Sequence, residues 1–186
     1  MSVTRFSSKN ETEQLLSEPV LRALLLNDDG SIPNNPRLPL LVYQGALNLP
    51  SRDPASAIEG LLASNDWGGC WRNGIYSYHH YHSTAHEALL VYRGSATVQL
   101  GGECGLIETI KRGDVLIIPA GVGHKNLGQA GGFGVIGAYP VGQQWDICYG
   151  KPGERPCADK NISQVPLPKS DPVYGPKGPL MKEWRG

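Results

Sequence analysis

Residues Gly74–Gly94 read GIYSYHHYHSTAHEALLVYRG, a stretch that gathers His79, His80, His82, His86 and Glu87 into nine positions and holds four of the chain's five histidines. Side chains two apart share a face of a β-strand, so His80 and His82 can present two imidazoles side by side, with Tyr76 and Tyr78 in the same phase. His79 and Tyr81 take the other face. Ser83-Thr84-Ala85 reads as a tight turn, and Glu87 opens the apolar run Ala88–Tyr92, which Arg93-Gly94 ends. The spacing predicts a hairpin-like pair of strands, two imidazoles leaving one and a carboxylate entering the next.

A second stretch follows the same grammar. Gly113-Asp114 is a turn signal, Val115–Ile118 a short buried strand, and Pro119-Ala120-Gly121 a stop. Val122-Gly123-His124 then starts a return strand able to carry the fifth histidine inward. Three imidazoles and a carboxylate (His80, His82, Glu87 and His124) form a borderline ligand set. It suits one divalent transition metal, Fe, Mn, Ni, Zn or Cu, better than Ca or Mg, which prefer all-oxygen shells.

Gly74-x5-His80-x-His82-x4-Glu87-x6-Gly94 resembles the first cupin motif with every position filled. Gly113-x5-Pro119-x-Gly121-x2-His124 resembles the second, after 18 intervening residues. HYHSTAHE, PAGVGHKN, IPNN followed by LPLLVY, and DPVYGPKGPL are similar to the small bacterial YjlB-like cupins and their fungal relatives, over roughly Asn27 to Leu180. The resemblance implies a metal-binding β-barrel, and homodimerisation by the habit of small cupins; it carries no established reaction. One position departs from the pattern. The second motif usually places an Asn four residues after its His, whereas Asn126 comes two after His124.

The length of 186 residues suits a single domain, and 40% apolar content suffices for its core. Lys+Arg and Asp+Glu both total 17, and no basic stripe interleaves with aromatics, which argues against a nucleic-acid partner. No apolar run approaches a membrane span, and MSVTRFSSKNETEQ lacks the apolar centre of a signal peptide, so a cytoplasmic location is expected. Cys70, Cys104, Cys148 and Cys157 show no C-x-x-C spacing and read as free thiols, each a small buried apolar residue.

Along the chain, Asn10–Glu13 fits a capping box opening a helix through about Ser17. Val20–Leu26 is too short and evenly apolar to assign. Leu38–Val42 reads as a strand. Asp53-Pro54 fits an N-cap and first helical position for a helix over 54–63, with Ile58, Leu61 and Leu62 as its buried stripe. Strands are predicted near 87–92, 95–100, 106–111, 114–118 and 133–139, the spacing of a sandwich or barrel. The expectation is an all-β fold: one cupin (double-stranded β-helix, jelly-roll) barrel with core about 38–140. A 1–37 extension with short helices precedes it, and a proline-rich tail over 141–186 wraps it, with Trp145, Ile147, Tyr149, Tyr174 and Trp184 to bury.

Three functions from different classes fit a metal in such a barrel acting on a small organic molecule. An oxidoreductase of the dioxygenase kind stands first, on the ligand set alone. A metal-assisted isomerase, epimerase, lyase or cyclase stands second, and a binding module without turnover third. Glu87, Tyr76 and Tyr78 are the candidate catalytic residues. Arg72 and Lys125 lie near the motifs and could meet an anionic substrate; a solvated surface role competes. Trp67, Trp71 and Trp145 read as core or rim, and His79 and His86 as turned away from the ligands, the turn before His86 leaving it an alternative ligand.

Overall fold

The computed structural model describes residues 13–185. The capping box lies outside them except for Glu13, and residues 13–15 are helical. The elements that follow are β1 (Val20–Leu24), β2 (Leu40–Gln44), α1 (Pro54–Ser64), β3 (Trp67–Asn73), β4 (Glu87–Leu100), β5 (Leu106–Lys111), β6 (Val115–Ile118), β7 (His124–Pro140), α2 (Cys157–Gln164) and α3 (Leu180–Glu183). The strands form a seven-stranded antiparallel sheet in the order β1-β2-β6-β4-β7-β3, with β5 against the far half of β4. It is the jelly-roll architecture expected.

Strand phase explains why the central strands read as unbroken apolar runs. Leu40, Val42, Leu89, Val91, Leu116, Ile118 and Val135 meet in one buried cluster. Their neighbours Leu41, Tyr43, Ala88, Leu90, Val115, Ile117 and Ile136 meet α1 and the C-terminal residues Val173, Leu180 and Trp184 in another. Both faces of the sheet are covered, so no polar face is left to alternate. Glu87 shares the phase of Leu89 and Val91, whereas His86 shares that of Ala88.

Several expected boundaries move. Residues 20–24, unassigned from sequence, pair with β2 in register from Val20↔Gln44 to Leu24↔Leu40. β3, absent from the predicted strands, pairs with β7. The two strands expected over 87–92 and 95–100 are one strand of 14 residues. Arg93-Gly94 does not end it: Gly94 (φ 67°) sits in an irregularity of the β4–β7 ladder, where a Cβ would come within 2.4 Å of the Ala130 carbonyl oxygen. Most of the hairpin-like first strand is absent, since residues 74–86 are irregular apart from bridges His80↔His124 and Tyr81↔Cys148. Helix α1 starts where expected, Asp53 Oδ1 accepting the Ser56 N–H at 3.3 Å. All four cysteines are free thiols; Cys70, Cys104 and Cys157 are exposed rather than buried, and only Cys148 is half-buried.

Glycine at 137 is a packing requirement. It lies opposite Trp71 in the β3–β7 register, and a Cβ there would fall 2.1 Å from the indole. Gly137→Ala should therefore displace Trp71 and lower stability by about 1–3 kcal/mol, the usual cost of overpacking, read from denaturant unfolding. An unchanged midpoint would mean that the indole has somewhere else to go.

Candidate metal centre

His80 and His124 face each other across a two-way backbone bridge: His80 N–H donates to the His124 carbonyl at 3.3 Å, and His124 N–H to that of His80 at 3.0 Å. His82 is fixed two residues on, its carbonyl accepting the Gly121 N–H at 2.8 Å. Main-chain hydrogen bonds thus anchor the first motif to the second. One ring nitrogen from each of His80, His82 and His124 lies within 4.8 Å of the others, and all three residues are buried, so the group could hold a metal ion. Glu87, at the start of β4 opposite Ile118, brings Oε2 to 3.4 Å from His82 Nε2 and 3.3 Å from His124 Nε2.

The other nitrogen of each ring is already committed. Nδ1 of His80 lies 3.4 Å from the Tyr78 carbonyl, Nδ1 of His124 lies 3.3 Å from that of Val122, and Nδ1 of His82 sits against that of Asp146. Carbonyl oxygens only accept, so each Nδ1 carries the proton and each Nε2 keeps its lone pair for an ion. Such outer contacts orient imidazole ligands. Glu87 Oε2 is buried and has no hydrogen bond of its own. A buried, unsatisfied carboxylate oxygen costs free energy unless a cation meets it. Neutral imidazoles converging on that atom fit a divalent transition metal.

The charges agree with this. Burial pushes the Glu87 carboxyl upward, but the His82 and His124 imidazoles outweigh it and hold it below the usual carboxylate range. Burial and the neighbouring His124 push His80 down to about 3, so it is neutral at any working pH. Burial also opposes protonation of His82, yet the Glu87 charge prevails and raises its pKa above 6.5. A metal must displace that proton. Apparent affinity should thus fall about tenfold per pH unit below the His82 pKa, one proton competing for the site. Competition titrations between pH 5 and 8 check this, and an affinity flat over that range would contradict it. Without metal the sign reverses for stability. The His82 contribution is complete below its ordinary value of 6.5 and is lost as pH rises through the raised folded value. That of Glu87 is present above its ordinary 4.5 and is lost as pH falls through the depressed folded value.

A cavity of about 260 Å³ opens beside these atoms, walled by Trp71, Tyr76, Leu89, Tyr139, Trp145 and Ile147 among others. The phenol nearest Glu87 is Tyr139, whose hydroxyl donates to Oε1 at 3.0 Å. Burial and the Glu87 charge raise the Tyr139 pKa, so it stays protonated. Tyr76 and Tyr78, expected in phase with the ligands, both lie against His80, but they stack on each other (centroids 4.9 Å) and are 47% and 45% exposed. Tyr76 reaches the cavity wall and lies edge-on to His80; Tyr78 is not part of the wall. The cause is the irregular backbone of 74–86, which imposes no two-residue alternation. Trp145 is a rim residue, 51% exposed, and Trp67 is core.

The two cations near the motifs are engaged. Arg72 lines the cavity, but its guanidinium makes two 2.7 Å contacts with the Glu59 carboxylate. Lys125 pairs with Glu103 at 3.1 Å and lies outside the cavity wall. His79 points away from the ligands, its Nε2 3.4 Å from Glu103. His86 is also outside the ligand group, yet it is fully buried: Nδ1 accepts the Ala120 N–H at 3.0 Å, and the ring packs 4.7 Å from that of Trp184. Asn126 bonds Gln129 and Gly128 rather than the ligands.

Sequence reasoning passed over Tyr139 and Asp146. The Asp146 carboxylate accepts the Ser83 and Thr84 N–H groups at 2.6 and 3.2 Å and the Ser83 hydroxyl, clamping the turn between His82 and Glu87. An acid within a proline- and glycine-rich tail gives no local sign of that role.

Residues 72–129 match the cupin domain family. A Bacillus subtilis (strain 168) protein, "Uncharacterized protein YjlB", is 46% identical over 157 residues, 84% of this chain and 92% of its own length. The basic chain of a 13S globulin from Fagopyrum esculentum is 33% identical over 78 residues, 40% of each chain. Among solved structures, pumpkin seed globulin is 23% identical with a TM-score of 0.35, over 43% of this chain and 22% of its own.

Proposed function

The chain belongs to the cupins, in the family of the Bacillus YjlB protein, and from that premise we propose that it is a metal-dependent oxidoreductase of the dioxygenase kind acting on a small organic molecule. The observation that carries the reading is the ligand set. His80, His82 and His124 each have Nδ1 on a backbone carbonyl, and Glu87 Oε2 is left unpaired among them. Held by these residues, a redox-active ion would supply the electron transfer that oxygenation needs.

The chain's own residues set the substrate class. Trp71, Leu89, Ile147 and Trp145 make an apolar wall that excludes water and favours a ring or short chain. With Arg72 tied to Glu59 and Lys125 to Glu103, a phosphorylated sugar meets no free cation in the cavity wall among the described residues. A second reading, Lewis-acid isomerisation or lyase chemistry, is favoured by Tyr139, a protonated phenol in the cavity wall whose hydroxyl donates to Glu87. Oxygen uptake by the iron, manganese and zinc forms with candidate ring substrates separates the two. The first reading expects turnover only with the redox-active ions and oxygen; equal turnover by the zinc form under nitrogen would replace it with the second.

The same reading includes a homodimer. β2 is flanked by β1 and β6 and has no free edge, whereas β1 ends the sheet with Val20 64% exposed. Light scattering at micromolar concentration tests it, a monomer mass counting against it. Among the described residues no helix is long and apolar enough to cross a membrane. A cytoplasmic location remains part of the proposal.

A further inference from the structure

Glu87 has two oxygens, and the fold treats them differently. Oε2 faces the Nε2 atoms of His82 and His124 without a hydrogen bond. Oε1 accepts the Tyr139 hydroxyl at 3.0 Å. The Tyr139 oxygen in turn accepts the indole N–H of Trp71 at 3.0 Å. A phenol oxygen has one proton to give, and with the indole N–H occupying its acceptor side, that proton is directed at Glu87. The rings are held as well. Tyr139 stacks on Trp145 with centroids 5.8 Å apart, and Trp71 lies over Gly137, where any Cβ would collide with it. Tyr139 and Trp71 sit on adjacent strands, β7 and β3, so the chain indole–phenol–carboxylate is built into the sheet.

We propose that Tyr139 is a positioning residue that keeps Glu87 a one-oxygen ligand, and that Trp71 fixes the phenol for this purpose. The proposal rests on the metal reading above and adds what decides how many positions a bound ion has left. A carboxylate free to turn can offer both oxygens, and five protein ligand atoms would leave a six-coordinate ion one position for all exogenous molecules. With Oε1 held by the phenol, four protein atoms are offered and two positions stay open.

The test uses the full chain loaded with Co(II), whose visible absorption reports its coordination, and azide as a small probe of open positions. Wild type, Tyr139→Phe and Trp71→Phe are compared. Tyr139→Phe should shift the cobalt visible bands as a second carboxylate oxygen takes the place of a solvent ligand. It should also raise the azide dissociation constant about tenfold, the scale on which outer contacts tune metal sites. Trp71→Phe, which leaves the phenol but removes its indole partner, should shift both readouts the same way by less. A role confined to packing would change neither. Spectra and azide affinity in Tyr139→Phe that superimpose on wild type would overturn the proposal. So would a larger effect from Trp71→Phe than from Tyr139→Phe. If Tyr139→Phe does not fold, Trp71→Phe decides, an unchanged spectrum there being the negative result. Failure of the wild-type protein to take up Co(II) would be a different outcome, refuting the metal reading and this inference with it.

Discussion

His80→Ala, His82→Ala and His124→Ala should each empty the centre, lowering metal affinity by at least about a hundredfold, the upper end of what outer contacts alone achieve. The size follows from what each substitution removes. Every one of the three rings has Nδ1 spent on a backbone carbonyl, so its Nε2 is the only nitrogen it can offer. Loss of one leaves two nitrogens and Glu87 Oε2, with no other His, Cys, Asp or Glu in the ligand group to step in among the described residues. His79→Ala should leave occupancy unchanged, because that ring is directed at Glu103. Glu87→Gln should hold more metal than any of the three, since all three imidazoles remain and an amide oxygen can still reach the ion. Metal content by elemental analysis, with each variant's fold checked by circular dichroism, gives the answer. A site emptied by His79→Ala and filled in His80→Ala would invert the assignment.

The second large effect concerns the other end of the chain. Trp184→Ala should destabilise the protein by about 3–5 kcal/mol, the range for removing a large aromatic from a core. Chain termini usually fray. Residue 184 is tied down: Trp184 is 2% exposed, donates its indole N–H to the Pro39 carbonyl at 2.8 Å, and packs against His86. Its loss would open a cavity beside a histidine whose pKa burial has pushed down to about 3. Water admitted there would let His86 take up a proton on Nδ1, which now accepts the Ala120 N–H next to the second motif. Trp184→Phe should lose less, keeping most of the ring area but not the hydrogen bond. Urea unfolding measures both; a loss under about 1 kcal/mol for Trp184→Ala would mean that the tail adds little to the core.

The convergence of His80, His82 and His124 and the barrel were legible because both are written in short-range spacing: His80-x-His82, Glu87 at the head of an apolar run, and a turn–strand–turn before His124. Helix α1 was legible for the same reason, Asp53-Pro54 being a local signal. What could not be read depends on partners far along the chain. WGGCWRN shows no alternation, its ladder with β7 being interrupted between Gly68 and Trp71, so β3 was not predicted as a strand. The phase inferred for Tyr76 and Tyr78 assumed a regular strand where the backbone is shaped by single bridges to His124 and Cys148. His86 read only as turned away from the ligands, because strand phase tells which face a side chain takes, not that a tail almost a hundred residues later covers it. Tyr139 and Asp146 act on Glu87 and His82 across 52 and 64 positions, beyond the reach of any local pattern.

The central claim is that four named atoms hold one ion. Anomalous diffraction from crystals grown with Mn(II), Co(II) or Zn(II), collected at the metal's absorption edge, tests it directly. The account predicts a single strong peak in the jelly roll, about 2.0–2.2 Å from Nε2 of His80, His82 and His124 and from Glu87 Oε2. A peak at His79 and Glu103 instead, or none at the three imidazoles under saturating metal, would contradict it.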